Sequence, residues 1–148
     1  ALITVTGLSM VGVIGVNRRI FTALANEGIS VFMVSQASSE NSTSIGVREE
    51  DADEAVKVLN EEFSSEIEDG AMFPMHAKKG LATVAIVGEK MKSQVGVTAT
   101  AAKALSENEV NIQMISQGSS EVSIMFVVSK DQEEKAIKAL YQAFFPNN

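Results

Sequence analysis

Residues 1 to 63 of this chain can be laid on residues 82 to 144 without a single gap, and 19 of the 63 aligned pairs are identical. Gly7 meets Gly88, Met10 meets Met91, Gly15-Val16 meets Gly96-Val97, Met33 meets Met114, and Phe63 meets Phe144. The most conspicuous pair is polar: SQASSE at 35–40 recurs as SQGSSE at 116–121. Two copies are too few for a stacked array, so the duplication predicts two small domains, 1–79 and 80–148, each with its own core.

Within the first copy, ALITVTG reads as a short strand closed by Gly7, and GLSMVGVIG as a glycine-rich loop. Apolar positions at Val16, Ile20, Phe21 and Leu24 have helical spacing, with Gly28 where a terminating glycine is favoured. ISVFMVS reads as a buried strand and NSTSIGVRE as a weaker one, whose counterpart VSIMFVVS in the second copy is strong. Asp51 is then expected to cap a helix carrying Ala55, Val56, Leu59 and Phe63 on one face. A turn at SSE and a short strand interrupted by Pro74 complete the unit. The order β-α-β-β-α-β specifies an α+β, ferredoxin-like unit, an antiparallel sheet with both helices on one face. The second copy stops at FPNN, so its last strand is missing and its sheet must be completed by another segment or chain, or left open.

Several functions are disfavoured by composition. A net charge of −7, scattered Lys and Arg and 5% aromatic residues argue against a nucleic-acid partner. The absence of Cys removes thiolate chemistry, disulfides and the usual zinc sites, and is compatible with a reducing cytosol, the expected location. No apolar run is long enough to span a bilayer, and ALITVTG does not resemble a secretory signal. Opening at Ala1 inside a strand, the sequence reads as a piece of something longer.

No catalytic or metal constellation is apparent. His76 lies beside Met75 near Pro74 without a second His or an obvious carboxylate partner, and reads as a surface or strand-edge residue. GLSMVGVIG lacks the Lys and hydroxyl of a phosphate loop and the GxGxxG of a dinucleotide site. It does lead into a helix N-terminus, where free N–H groups can hold a carboxylate, and a purely structural turn is equally compatible with it. The hexapeptides read as polar connections between strands, but the repeated Gln36 and Gln117 point to a small polar ligand, because an amide both donates and accepts. Glu40 and Glu121 are equally compatible with a structural role.

GISVFMVSQASSENSTSIGV, VGEKMKSQVGVTATAAKAL and VNIQMISQGSSEVSIMFVV together resemble the paired ACT domains of the aspartate kinase regulatory region, in particular the form found in bifunctional aspartokinase–homoserine dehydrogenases. The resemblance implies a module that binds an amino-acid effector and relays its occupancy to a kinase domain. The parent would be a kinase using MgATP, and a fused dehydrogenase would use NAD(P); neither catalytic part is in this sequence. It also implies that one sheet is completed by a strand from upstream of Ala1. Independently of the resemblance, the uncovered edge of the second copy predicts a homodimer. The implied effector contacts are Met10, Gly15, Val16, Ser30, Val31 and Gln36, repeated as Met91, Gly96, Val97, Asn111, Ile112 and Gln117. In this set the ligand carboxylate meets N–H groups near Gly15-Val16, the ammonium meets carbonyls near Ser30-Val31, and the side chain meets Gln36. Threonine is the expected effector, because family members with SQxSSE are typically threonine-regulated and its hydroxyl suits a glutamine amide. The other reading is a dimerisation module whose loops bind nothing.

Overall fold

The computed structural model describes residues 1–8, 15–36, 41–89, 94–118 and 122–146, which fall into two compact units, Ala1–Lys79 and Gly80–Asn148. The first contains β1 (Leu2–Thr6), α1 (Val16–Asn26), β2 (Val31–Gln36), β3 (Ser42–Val47), α2 (Ala52–Glu62), a short α3 (Ser64–Glu68) and β4 (Ala77–Lys78). The second contains β5 (Leu81–Val87), α4 (Val97–Glu107), β6 (Met114–Ser116), β7 (Ser123–Ser129) and α5 (Glu133–Phe144). Sheet order is β2-β3-β1-β4 in the first unit and β5-β7-β6 in the second, with antiparallel pairing throughout. This is the α+β, ferredoxin-like arrangement specified by the sequence, and the described residues of the second unit form no fourth strand.

Each core lies between one sheet face and two helices. Ile3, Val5, Ile45 and Val47 alternate inward from β1 and β3 to meet Ile20, Leu24, Ala55, Leu59 and Phe63. Val84, Ile124, Phe126 and Val128 meet Ala101, Leu105, Ala136 and Leu140 in the same way. The strand that reads as weak, β3, is central, and its Thr43 is fully buried. Phe21, expected in the core, is half-exposed, because Val16, Ile20 and Leu24 already fill the inward stripe of α1.

Three local expectations are corrected, and a fourth, the short strand interrupted by Pro74, holds. Asp51 does not cap α2 with its side chain: it ends a 3-10 turn over Glu49–Asp51, already in helical conformation. SSE is not a turn but the start of α3, whose Ile67 N–H bonds to the Phe63 carbonyl, carrying the chain on for a further turn. The returning segment meets β1 twice, through Met72 opposite Gly7 and then Ala77-Lys78 opposite Ile3-Leu2. Between these contacts Pro74 has no N–H to give, and Asn60 holds the interruption by donating to the Met75 carbonyl (3.1 Å) and accepting from its N–H (2.8 Å). Finally, VNIQMIS is a strand only over Met114–Ser116. The Gln132 amide diverts the preceding backbone, accepting from the Asn111 N–H (3.3 Å) and donating to the Glu109 carbonyl (3.1 Å).

Candidate effector site

In both units the glycine of the loop reading sits in the left-handed region immediately before a helix, Gly15 at φ 92° and Gly96 at φ 86°. A Cβ at either position would meet nothing within 4 Å, so the requirement is the backbone turn and not the space. The glycine carbonyls accept the first intrahelical bonds, from Arg19 and Thr100, and among the described residues no side chain caps the start of either helix. The N–H groups of the first turn therefore have no intrahelical partner. Acidic residues occupy the first turn of α2 (Asp53, Glu54) and α5 (Glu133, Glu134), whereas α1 and α4 carry none there. The positive ends of α1 and α4 are thus not offset by carboxylates in their own first turns.

Gln36 closes β2 opposite Thr43, and its side chain reaches this helix end: Asn17 Nδ2 donates to Gln36 Oε1 at 3.5 Å, at the long end of the hydrogen-bond range. Thr43 Oγ1 donates in turn to Asn17 Oδ1 at 3.4 Å. The same juxtaposition recurs in the second unit, where Thr98, the counterpart of Asn17, donates its hydroxyl to Gln117 Oε1 at 3.3 Å. Gly15, Val16 and Gln36 are therefore brought to one end of their unit, as are Gly96, Val97 and Gln117. Val16 and Val97 bury their side chains in the cores and offer only backbone to a ligand.

Ser30 and Val31 are not part of this cluster. Val31 opens β2 and Gln36 closes it, so the two ends are about 17 Å apart at the usual rise of ~3.3 Å per residue. The same holds in outline for Asn111 and Ile112, which line a separate hollow of about 430 Å³ with Ala102, Ser106, Glu109 and Val110. Met10, Met91, Glu40 and Glu121 lie outside the described residues. His76 is exposed, and among the described residues no group of three His, Asp or Glu side chains gathers as a metal site would need. The sequence reading did not single out Asn17, Thr98 or Thr43. The available signal was a polar hydrogen-bonding residue directly after the repeated Gly-Val, in both copies.

The ACT domain model matches residues 3–63 and again 84–144. The chain belongs to the ACT domain family. It does so as a tandem pair, and its similarity extends to aspartate kinases. The chain is 38% identical over 147 residues to the bifunctional aspartokinase/homoserine dehydrogenase of Haemophilus influenzae, covering 99% of this chain and 18% of that protein. It is 63% identical over 65 residues to aspartokinase 3 of Bacillus subtilis, covering 44% of this chain and 14% of that one. Among solved structures, the ligand-free regulatory subunit of aspartate kinase from Thermus thermophilus superposes with a TM-score of 0.82 at 27% identity, covering 97% of this chain and 91% of that one. The tandem ACT chain thus spans less than a fifth of the length of these longer relatives and nearly all of a stand-alone regulatory subunit. No helix among its described residues is long and apolar enough to cross a membrane.

Proposed function

We propose that this ACT pair is the effector-sensing part of an aspartate kinase, binding an amino-acid end product, with threonine as the preferred ligand, and transmitting feedback inhibition. The observation that carries the reading is the juxtaposition, made twice, of an uncapped helix N-terminus with a glutamine side chain. An α-amino acid brings a carboxylate for the N–H groups and helix dipole, and threonine brings a hydroxyl for the amide. The likeness to bifunctional aspartokinase/homoserine dehydrogenases supports a kinase parent using MgATP and, where a dehydrogenase is fused, NAD(P). On this reading the parent works in the cytoplasm.

The separation of Ser30-Val31 from Gln36 adds a condition. A ligand as small as threonine touches both ends of the expected set where the edge strand of a second chain runs antiparallel beside β2. β2 is an edge strand, and its outward Phe32 and Val34 are 46% and 45% exposed, which favours such pairing and a homodimer. Titrating threonine, lysine, methionine and isoleucine into the purified chain while following the melting temperature tests the reading. A dose-dependent rise with threonine is expected, because a ligand bound only by the folded state stabilises it. No rise with any of the four leaves the ligand-free dimerisation module in its place.

A further inference from the structure

The two glutamines reach the helix ends in the same orientation through different chemistry. In the first unit the neighbour is an amide, Asn17, itself held by the hydroxyl of the fully buried Thr43. In the second it is the hydroxyl of Thr98, and the counterpart of Thr43 is Ile124, with no polar group to offer. Both arrangements turn the glutamine carbonyl oxygen toward the start of a helix, where the partial positive charge favours the oxygen end of an amide over its NH2 end. The internal partner takes up the oxygen, and among the described residues none takes either amide hydrogen, which stay available to whatever else binds there.

We propose that Asn17 with Thr43, and Thr98 alone, are positioning residues that fix Gln36 and Gln117 with their N–H groups toward the ligand, so that the site selects an amino acid whose side chain offers a hydrogen-bond acceptor. This rests on the effector reading above and adds its selectivity. A threonine hydroxyl accepts from the presented N–H. A lysine ammonium, which only donates, meets donors and is rejected, and an aliphatic side chain leaves the amide unanswered. The two units reach this polarity with unequal support: Gln36 is held through two polar side chains in series, Gln117 through one.

The test reads discrimination and not affinity alone, because the ratio of the dissociation constants of 2-aminobutyrate and threonine isolates the hydroxyl and cancels changes at the shared carboxylate. In the intact 148-residue chain carrying Gln117→Ala, so that only the first amide is read, calorimetry follows threonine, 2-aminobutyrate and O-methylthreonine. Thr43→Val, close in shape but without the hydroxyl, and Asn17→Leu are each expected to lower the ratio by about three- to tenfold. Asn17→Thr, which imports the second unit's residue, and Thr43→Ser are expected to keep it. O-methylthreonine, an acceptor with no hydroxyl proton, is expected to stay near threonine. A ratio that does not move in Thr43→Val and Asn17→Leu, or O-methylthreonine binding no better than 2-aminobutyrate, overturns the proposal while leaving effector binding intact. Absence of threonine binding in the unsubstituted chain instead removes the effector reading itself, and this inference with it. Circular dichroism of each variant separates a lost fold from a lost bond, and the exposed Asn17 variants carry the test if the buried Thr43 ones unfold.

Discussion

At the scale of single residues, the two copies solve the same backbone problem with different side chains. α1 and α4 both end with the paired bonds of a Schellman motif, Ile29 N–H to the Leu24 carbonyl and Gly28 to Ala25, then Val110 to Leu105 and Glu109 to Ser106. The motif requires a left-handed residue, which is Gly28 at φ 69° in one copy and Glu109 at φ 54° in the other. Glutamate holds that conformation against its own Cβ. Glu109→Gly is therefore expected to stabilise the second unit by about 0.5–1 kcal/mol, the relief of left-handed strain partly offset by the greater entropy of an unfolded glycine. Gly28→Ala, whose Cβ would meet nothing within 4 Å, should still cost the first unit about 1 kcal/mol through φ alone. Denaturant midpoints of both variants check the pair, and equal effects of one sign would contradict the account.

At the scale of elements, what divides the copies is how their second helix is tied down. In the first unit Arg19 on α1 donates to the carboxylate of Glu62 (2.7 Å), to that residue's carbonyl (2.8 Å) and to Glu66 on α3, while its guanidinium lies 4.4 Å over the Phe63 ring. The second copy has Thr100 in place of Arg19 and Ala143 in place of Glu62. The hydrogen bond from Arg19 holds the Glu66 carboxyl below the ordinary glutamate range, against a smaller opposing push from burial. A depressed folded-state pKa means that the stabilisation is complete above the unfolded value and is lost as pH falls through the folded one. Arg19→Thr should thus cost about 1 kcal/mol near neutrality, since the groups are partly solvent-screened, and should flatten the loss of stability in the acid range. Urea melts of parent and variant between neutral and acid pH check this, and parallel curves would contradict it. The strand β3 read as weak because one of its buried residues, Thr43, is polar, whereas the helices α1 and α4 and the strands β1 and β7 were legible from their apolar residues. α3 was not, because SSEIE is one turn with a single apolar residue and exists by continuing α2 through Phe63. Nor was the short β6, because the backbone before it is held by the side chain of Gln132, twenty-one residues beyond Asn111. At the site, the meeting of Gly15-Val16 with Gln36 followed from the order of elements, whereas within one chain Ser30-Val31 stand a strand's length away, at the other end of β2.

At the scale of the whole molecule, the chain carries two copies of one pairing of glutamine and helix end, on sheets whose edges differ. The second sheet has three strands among the described residues and ends in β6, where Ile115 is 43% exposed, while the first ends in β2 with Phe32 and Val34. Edges with exposed apolar residues are templates for pairing, so sedimentation should show a dimer over micromolar concentrations, and replacing Val34 with Lys should shift it toward monomer. A monomer throughout would count against the second-chain arrangement in which Ser30-Val31 and Gln36 share a ligand. The most direct test of the account is calorimetry of threonine with the parent chain, Gln36→Ala, Gln117→Ala and the double variant. Each glutamine that holds the effector's hydroxyl should cost about 1–3 kcal/mol when removed, or about five- to more than a hundredfold in dissociation constant, with the fold intact because both side chains are exposed. The account predicts such weakening in at least one single variant and in the double. Threonine binding unchanged in all three would contradict it and reduce the repeated SQxSSE to a structural connection.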